Sequence, residues 1–326
     1  GPVRLFEPPP AAPLTGTMMT SSPKARLAVD IADRSLAITP DGSRVVFLGS
    51  EKTQIFVRSF DSIEPTPIVT TDNLLRGIFL SPDGRWVGYF ESNTTLRKVP
   101  ISGGSPVTIY AGDSPSRGAV WAPDNTIVFA TASSDTGLLR ISADGGAITV
   151  LTRPKPELGE FDHVFPSFVP GTSTLIFSIA SMGDRPPRVA ALDLESGAWK
   201  TVLEGAAHPL YLPTGHLLHT GGRALRAVPF DVKRLEARGA PVTIVPRLIA
   251  GTLGSAEYAI SQNGTLIYFD AGGPTEPVRS LVWVNRRGQE TPAGVDTDSA
   301  AHPRLSPDGT RLVFVDTADL FLWDFQ

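Results

Sequence analysis

Short runs of β-branched and aromatic residues alternate with polar turns along nearly the whole chain, and one arrangement recurs seven times. Each repeat contains a short apolar stretch, a turn of the Pro-Asp-Gly type, a second apolar run and then an alternating run. Such runs are typical of β-strands, and Pro, Asp and Gly favour a tight reversal between two of them. No segment has helical periodicity over ten residues. The pattern therefore predicts an all-β protein.

The spacing of the turns defines the repeat. The turns begin at Pro40, Pro82, Pro123, Pro170, Pro213, Gln262 and Pro307. They lie 42, 41, 47, 43, 49 and 45 residues apart, close to the ~40 to 45 residues of a four-stranded propeller blade. The strand after each turn is nearly continuously apolar, which is typical of a strand covered on both faces. We therefore predict a seven-bladed β-propeller of four-stranded blades, with residues 25–326 as a single domain.

The last repeat ends after its third strand, at residues 320–325, without an outer strand. An open apolar edge favours aggregation. Residues 25–31, or alternatively residues 3–7, form a lone strand that belongs to no repeat. We expect this N-terminal strand to pair in the last blade and close the ring. Residues 1–24 are then a Pro-rich lead-in behind Gly1-Pro2, a dipeptide typical of a cleaved tag.

Composition excludes several classes of function. The net charge of −4 includes no long run of one sign, so we expect no nucleic-acid partner. The absence of cysteine removes disulfides, thiolate metal sites and a cysteine nucleophile. No apolar run approaches the ~18 residues of a membrane span. No Gly-x-Ser-x-Gly elbow is present, and we expect neither a catalytic residue nor a cofactor in this propeller.

Aligning the repeats on their turns identifies residues at the start of each innermost strand, which lines the channel of a propeller. Six positions before the turn, the first three repeats have Arg34, Arg76 and Arg117. Five positions before it, the last three repeats have His208, Glu257 and His302. The sequence therefore predicts a ligand-binding channel mouth that combines an arc of arginines with a His/Glu cluster.

Arginine side chains suit carboxylate and phosphate ligands. We expect this mouth to bind a small anionic or polyhydroxylated ligand, or an acidic segment of a protein partner. The alternative is that the arginines pair with carboxylates of the chain itself, such as Asp33 and Asp72. His208 and His302, with His163 and Glu257, are also candidate metal ligands, although we favour a site without metal.

Two further sets of residues have structural explanations. The aspartates of the turns recur once per repeat and are too far apart to share a metal, so we interpret them as turn residues. The tryptophans of predicted strands are expected to pack between blades. They are Trp86, Trp121, Trp283 and Trp323. Trp199, in an outer strand, is expected to be the most exposed.

The repeated "SPDG" turn followed by "RVVFL" or "RLVFV" resembles the TolB-like, WD-repeat-like (PD-type) propeller repeat of bacterial proteins. The segments "RGAVWAPDNTIVFA", "GLLRISADGGAITVLT" and "SLVWVNRRGQETPAG" resemble the propeller region C-terminal to the kinase domain of bacterial eukaryotic-type Ser/Thr kinases. The chain itself has no Gly-rich loop, "HRD" or "DFG".

The resemblance implies a non-catalytic sensor or protein-interaction module that lies outside the cytoplasmic membrane, in the periplasm or at the cell surface. Two alternatives stay open. One is a TolB-like periplasmic scaffold that binds protein partners. The other is a metal-dependent polysaccharide lyase, because some TolB-like propellers are lyases that hold a metal with clustered histidines.

Overall fold

The computed structural model describes residues 25, 27–62, 64–183, 185–269, 271, 282–286, 289–293, 295, 300–316 and 319–324. They form two compact units, one ending at Tyr268 and the other beginning at Phe269. Across these ranges the regular elements are β-strands and three short 3-10 turns. The prediction of an all-β protein is confirmed. No helix within the described ranges is long and apolar enough to cross a membrane.

The first unit contains five antiparallel sheets of at least four strands, each formed by strands consecutive in the chain. The first three sheets comprise β1 Leu36–Ile38, β2 Arg44–Gly49, β3 Gln54–Ser59 and β4 Thr66–Thr70; β5 Leu75–Leu80, β6 Trp86–Glu91, β7 Thr95–Pro100 and β8 Val107–Ala111; and β9 Ser116–Trp121, β10 Thr126–Thr131, β11 Leu138–Ser142 and β12 Thr149–Val150.

Two further sheets and a hairpin complete the first unit. They comprise β13 Glu160–Phe168, β14 Thr174–Ser181, β15 Arg188–Asp193 and β16 Trp199–Glu204; β17 Ala207–Leu212, β18 His216–Gly221, β19 Ala224–Asp231, β20 Glu236–Ala237 and β21 Val242–Val245; and β22 Tyr258–Ile260 and β23 Leu266–Tyr268. In the fifth sheet, β19 pairs with both β20 and β21. The four-stranded repeat predicted from the sequence is therefore confirmed for the first five repeats.

The Pro-Asp-Gly turns are where the spacing places them. In all seven, an amide N–H closes the turn on a carbonyl three residues earlier, with N···O distances between 2.8 and 3.3 Å. The turn aspartates bond within their own turns, as when Asp83 Oδ1 accepts from Ser81 Oγ at 2.6 Å and from the Arg85 N–H at 3.0 Å. Hydrogen bonds from Thr39 and Ser43 lower the pKa of Asp41 to about 2. The interpretation of these aspartates as turn residues is confirmed.

Apolar side chains fill the spaces between neighbouring sheets of the first unit. Phe90 of the second sheet and Phe129 of the third are fully buried, with ring centroids 6.1 Å apart. Val128 and Phe177 are buried between the third and fourth sheets. Burying each such side chain contributes about 2 kcal/mol. This packing explains why the second strand of each repeat is apolar on both faces.

The inner strands of the first unit close on themselves. Strands β1, β5, β9, β13 and β17 are successive neighbours, and β22 lies beside β1. The sixth turn also meets the first, because the Gln262 N–H donates to the Pro40 carbonyl at 3.0 Å. In a ring of seven consecutive blades, the seventh would separate the sixth from the first. The prediction of seven blades in one ring is therefore not confirmed, since six inner strands already meet.

The predicted closure through the last blade is not confirmed either. Residues 25–31 were expected to pair beside residues 320–325. Instead, Leu27 forms an antiparallel bridge with Gly49, and the Ala28 N–H donates to the Leu48 carbonyl at 3.0 Å. This segment is therefore held by the first repeat. Residues 3–7, the alternative strand, lie outside the described residues.

The second unit contains a hairpin and a three-stranded sheet. They comprise β24 Val282–Val284 and β25 Glu290–Pro292, and β26 Ala300–Leu305, β27 Arg311–Asp316 and β28 Asp319–Asp324. The three strands predicted for the last repeat are thus present. Phe314 is buried and stacks on Phe321 with ring centroids 5.6 Å apart. Candidate site residue His302 lies in β26, but its side chain is outside the described residues.

Candidate functional site

Five of the six predicted site residues lie in the first unit, at the end where the inner strands begin. We call this the upper end, and the end that carries the Pro-Asp-Gly turns the lower end. The segment of residues 30–35 lies across the upper end, and we call it the strap. Its residues bond to the second, third, fifth and sixth repeats, so the chain itself occupies the predicted channel mouth.

Asp30 pairs the strap with the second repeat. Its Oδ1 lies 3.2 Å from Arg76 Nη2, and its Oδ2 lies 3.2 Å from Lys52 Nζ. Both Asp30 and Arg76 are buried, at 7% and 6% exposed. An ion pair of this kind is held in place because either partner alone would be a buried, uncompensated charge. The alternative reading of the sequence, in which the arginines pair with the chain's own carboxylates, therefore holds for Arg76.

Asp33 joins the strap to the third repeat. Its Oδ2 accepts from Ser116 Oγ at 2.7 Å and from the Gly118 N–H at 3.1 Å, and its Oδ1 accepts from the Arg34 N–H at 2.8 Å. The residue is 1% exposed. Asp72, the other carboxylate considered from the sequence, is exposed. The strap carboxylate nearest Arg117 is thus fixed by neutral donors.

Arg117 is a part-exposed member of the arginine arc. Its Nη1 donates to the Ser116 carbonyl at 3.4 Å, while its Nε is buried without a hydrogen-bond partner. Burial lowers the pKa of Arg117, helped by the neighbouring Arg76. The nearby Asp162 is buried, and this raises the pKa of that carboxyl to about 7. Arg117 therefore has donor capacity that the chain does not use.

Arg34 and His208 meet across the central channel. Arg34 Nε lies 2.7 Å from His208 Nε2, and the Ala256 N–H points at His208 Nδ1 from 2.8 Å. A neutral imidazole has one acceptor nitrogen, so it can accept only one of these bonds. Burial and the Arg34 charge hold the pKa of His208 well below its usual range. The ring also stacks on Phe165 at 4.8 Å, and donors face both nitrogens that a metal would need.

Glu257 fixes the other side of the strap. Its Oε2 accepts from the Ser35 N–H at 3.0 Å, and its Oε1 lies 2.8 Å from Ser35 Oγ. Burial, with smaller contributions from the charges of Asp33 and Asp30, raises the pKa of Glu257 from 4.5 to about 8. Near neutral pH this residue is therefore largely a neutral acid that can donate to Ser35 Oγ.

The raised pKa of Glu257 makes the stability of the fold depend on pH. The proton bound in the folded state stabilises it fully below pH 4.5, and this contribution is lost as pH rises through about 8. Glu257→Gln mimics the neutral acid, so at pH 9 we expect the variant to be more stable than the natural chain by about 2 kcal/mol. Urea unfolding at pH 5, 7 and 9 measures this difference. Equal pH dependence of the two proteins would contradict it.

The position five residues before each turn forms one column of the repeat alignment, and this column contains His208. It has a backbone role that the alignment did not reveal. Four residues of this column have left-handed backbone, with φ of 63° at Gly77, 95° at Gly118, 53° at Phe165 and 50° at His208. Each lies at a β-bulge where the inner strand changes register against its neighbour. A non-glycine residue in this region costs about 1 kcal/mol or more. The two glycines of the column were the available signal, since glycine adopts positive φ readily.

Below the strap, the inner strands line an open cavity of about 130 Å³. Its wall is mostly apolar, with Leu36, Ile78 and Leu210 among the lining residues, and Arg34 also lines it. The space between the inner strands is thus mostly apolar beneath a polar upper end.

His163 lies in a separate cluster and does not join His208. Its Nδ1 is 2.8 Å from Thr152 Oγ1, and its Nε2 is 3.2 Å from Glu160 Oε2. The imidazole also packs against Phe177 and Trp199. Among the described residues, no group of three or more His, Cys, Asp or Glu side chains could hold a metal ion. The metal-ligand set considered from the sequence is therefore not brought together within the first unit.

An apolar patch at the upper end of the fourth repeat was not foreseen from the sequence. Leu158, Phe161 and Met182 are 51%, 51% and 44% exposed. The Met182 N–H donates to the Gly159 carbonyl at 3.0 Å, which holds the two segments of the patch together. Arg185 Nη1 donates to the Leu158 carbonyl at 3.2 Å. Exposed large apolar residues beside arginine are typical of protein–protein interfaces.

Comparison with known proteins shows the fold. No protein-family model matches the chain, and no curated protein matches it. Among solved structures, a putative TolB from Agrobacterium tumefaciens is 17% identical with a TM-score of 0.56, over 73% of this chain and 90% of that one.

Two further structures have similar folds. A chain of a nidogen/laminin complex is 17% identical with a TM-score of 0.54, over 68% of this chain and 81% of that one. An oligogalacturonate lyase in complex with manganese is 13% identical with a TM-score of 0.50, over 90% and 76%. At such identities the similarity defines the class of fold alone, and that class is the β-propeller.

Proposed function

We propose that this chain is a non-catalytic β-propeller that binds a protein partner at its upper end. The observation that carries the proposal is the apolar patch of Leu158, Phe161 and Met182, which lies on the same end as Arg117. Aromatic, Met and Arg side chains are the ones enriched in the centres of interfaces. The polar cluster under the strap, by contrast, is used internally and presents no convergent set of catalytic groups.

The charges around the patch indicate what kind of partner segment would bind there. Positive charge surrounds the patch at Arg117, Arg153, Lys155 and Arg185, whereas Glu157 is the exposed acidic residue of residues 153–162. The Arg117 side chain is part-exposed, and its Nη1 makes only a long bond of 3.4 Å to the Ser116 carbonyl. A segment with Asp or Glu beside large apolar residues would complement both the charge and the patch. The sequence analysis also expected an acidic protein segment, but it placed the binding site at the channel mouth. The proposed site lies at the rim of the channel instead.

The three residues of the arginine arc therefore have two different roles in this proposal. Arg76 pairs with the strap and Arg34 meets His208, so both support the upper end from within. Arg117 faces the partner. A role for His302 in binding stays a prediction, as does binding of a small anionic ligand over the channel.

Affinity selection tests the proposal directly. A displayed library of 12-residue peptides selected on the chain should yield sequences with acidic residues beside large apolar ones. Phe161→Ala should weaken the selected peptides at least about tenfold, because it removes the central aromatic contact. Arg117→Ala should weaken them and reduce their salt dependence. Fluorescence polarisation at two salt concentrations measures both effects.

A matched control distinguishes binding at this patch from non-specific hydrophobic binding. Val242 is 64% exposed on the edge strand β21, far along the chain from the patch, and Val242→Ala should leave affinity unchanged. Selection of basic peptides, or equal binding to Phe161→Ala and Val242→Ala, would overturn the proposal.

We place the module in the sensor region of a bacterial Ser/Thr kinase, outside the cytoplasmic membrane. Support comes from the resemblance of residues 117–130, 137–152 and 280–294 to the propeller region of such kinases. A TolB-like periplasmic scaffold is the second candidate, favoured by the similarity to a putative TolB. The coding sequence upstream of residue 3 separates them, since the kinase reading requires a kinase domain and a membrane span there.

A further inference from the structure

A groove at the lower end, between the second and third sheets, contains the only two tryptophans of the first unit that lie near each other among its described residues. Its volume is about 370 Å³, within the size range of small-molecule sites. Trp86 at the start of β6 is part-exposed, and Trp121 at the end of β9 is buried beneath. The part-exposed Trp86 indole forms the floor of the groove, with the Lys98 ammonium over its ring.

Side chains around this floor are ordered by a chain of hydrogen bonds. Trp121 Nε1 donates to Asn125 Oδ1 at 3.2 Å, and Asn125 Nδ2 donates to Asp144 Oδ2 at 3.0 Å. Lys98 Nζ donates to Asp144 Oδ1 at 3.0 Å and lies 5.1 Å from the Trp86 ring centroid. Because each group fixes the next, the donors and acceptors are arranged before any ligand binds.

The groove combines strong polar groups with a small excess of negative charge. Lys98 is one positive charge, whereas Asp83 and Asp144 are two negative charges among the lining residues, so the groove disfavours an anionic ligand. Asp144 is 71% exposed on its side chain, and each of its oxygens retains a lone pair after the bonds above. Hydroxyl groups can donate to such a carboxylate and accept from such an ammonium at the same time.

We propose that this groove binds a neutral pyranose sugar, as a monosaccharide or a disaccharide unit. The sugar packs C–H groups against the part-exposed Trp86 indole beside Lys98, and adjacent hydroxyls bond to Asp144 and Lys98. Uncharged rings with one apolar face and hydroxyls at the rim match the floor and rim of the groove. The site is independent of the upper-end protein interface.

Titration calorimetry and saturation-transfer NMR with glucose, N-acetylglucosamine, lactose and cellobiose test this site, with galacturonate as the charged comparison. At least one neutral sugar should bind the natural chain. Trp86→Ala should weaken that sugar at least about tenfold through loss of stacking. Asp144→Asn keeps the shape and removes the charged acceptor, and it should weaken binding by a similar factor.

The control is Trp323→Ala, which removes a tryptophan that is 38% exposed in the second unit and should leave sugar affinity unchanged. Asp144→Asn serves as the decisive variant if Trp86→Ala does not fold. Absence of binding by every neutral sugar, preference for galacturonate, or unchanged affinity in Asp144→Asn would overturn the proposal.

Discussion

Asp33→Ala should destabilise the first unit by about 3 kcal/mol or more, the largest effect expected for a single polar side chain of this protein. The carboxylate is 1% exposed and accepts from Ser116 Oγ and from the amides of Gly118 and Arg34. Truncation leaves these buried donors without an acceptor, and it leaves the Arg34 charge less compensated. Urea unfolding followed by tryptophan fluorescence measures the loss.

The control for Asp33 is Asp72→Ala. Asp72 is exposed, so its removal should change the free energy of unfolding by no more than about 0.5 kcal/mol. Asp33→Asn keeps one carbonyl acceptor and should fall between the two. Equal stability of Asp33→Ala and Asp72→Ala would show that the strap contributes little to the fold.

Gly251→Ala should displace the strap by steric conflict alone. A Cβ at this position would lie 1.7 Å from the Ile31 carbonyl oxygen and 2.5 Å from its carbonyl carbon. Both are backbone atoms, so relief requires the strap itself to move. We expect destabilisation of about 3 kcal/mol, because the strap cannot move without loosening the Asp30 and Asp33 contacts.

Hydrogen exchange shows whether the loss lies in the strap. The amides of Ile78 and Leu48 donate to the carbonyls of Arg34 and Ser35, at 3.1 and 2.9 Å, and both should exchange faster in Gly251→Ala. Gly112→Ala is the matched control, since its Cβ would meet the end of the Tyr110 side chain, which can rotate away. If the two variants are equally stable and equally protected, the strap is not held as described.

The predicted acidic ligand of the arginine arc is, in part, a segment of the chain. The sequence indicated that Arg34, Arg76 and Arg117 would attract carboxylates, and Asp30 of the strap supplies one to Arg76. Pairing within the chain has an entropic advantage, because the strap is already tethered to the first inner strand. For Arg76 the carboxylate therefore comes from the chain itself, a source that the sequence did not make evident.

The alignment of the repeats predicted where residues of the candidate site lie, but it did not predict what they do. The alignment on the turns placed His208 and Glu257 at the start of inner strands, and both are found at the upper end. Their roles differ, however, because His208 occupies a left-handed bulge whereas Glu257 hydrogen-bonds the strap. Gly77 and Gly118 in the same column were evidence for the bulge. The apolar patch of Phe161 had no such signal, since an exposed aromatic residue resembles a buried one in the sequence.

The sequence by itself determined the local structure of this protein. Turn position, strand order within each sheet and the burial of the second strand all follow from residues close together in the chain, through the preset φ of Pro, the φ > 0 of Gly and the alternation of side chains. Only the tertiary structure decided how the sheets meet. The contact of the sixth turn with the first at Pro40, the bridge of Leu27 with Gly49 and the strap over the arginines join residues distant in the chain. Their formation depends on packing and buried charge compensation in three dimensions, which neither periodicity nor spacing contains.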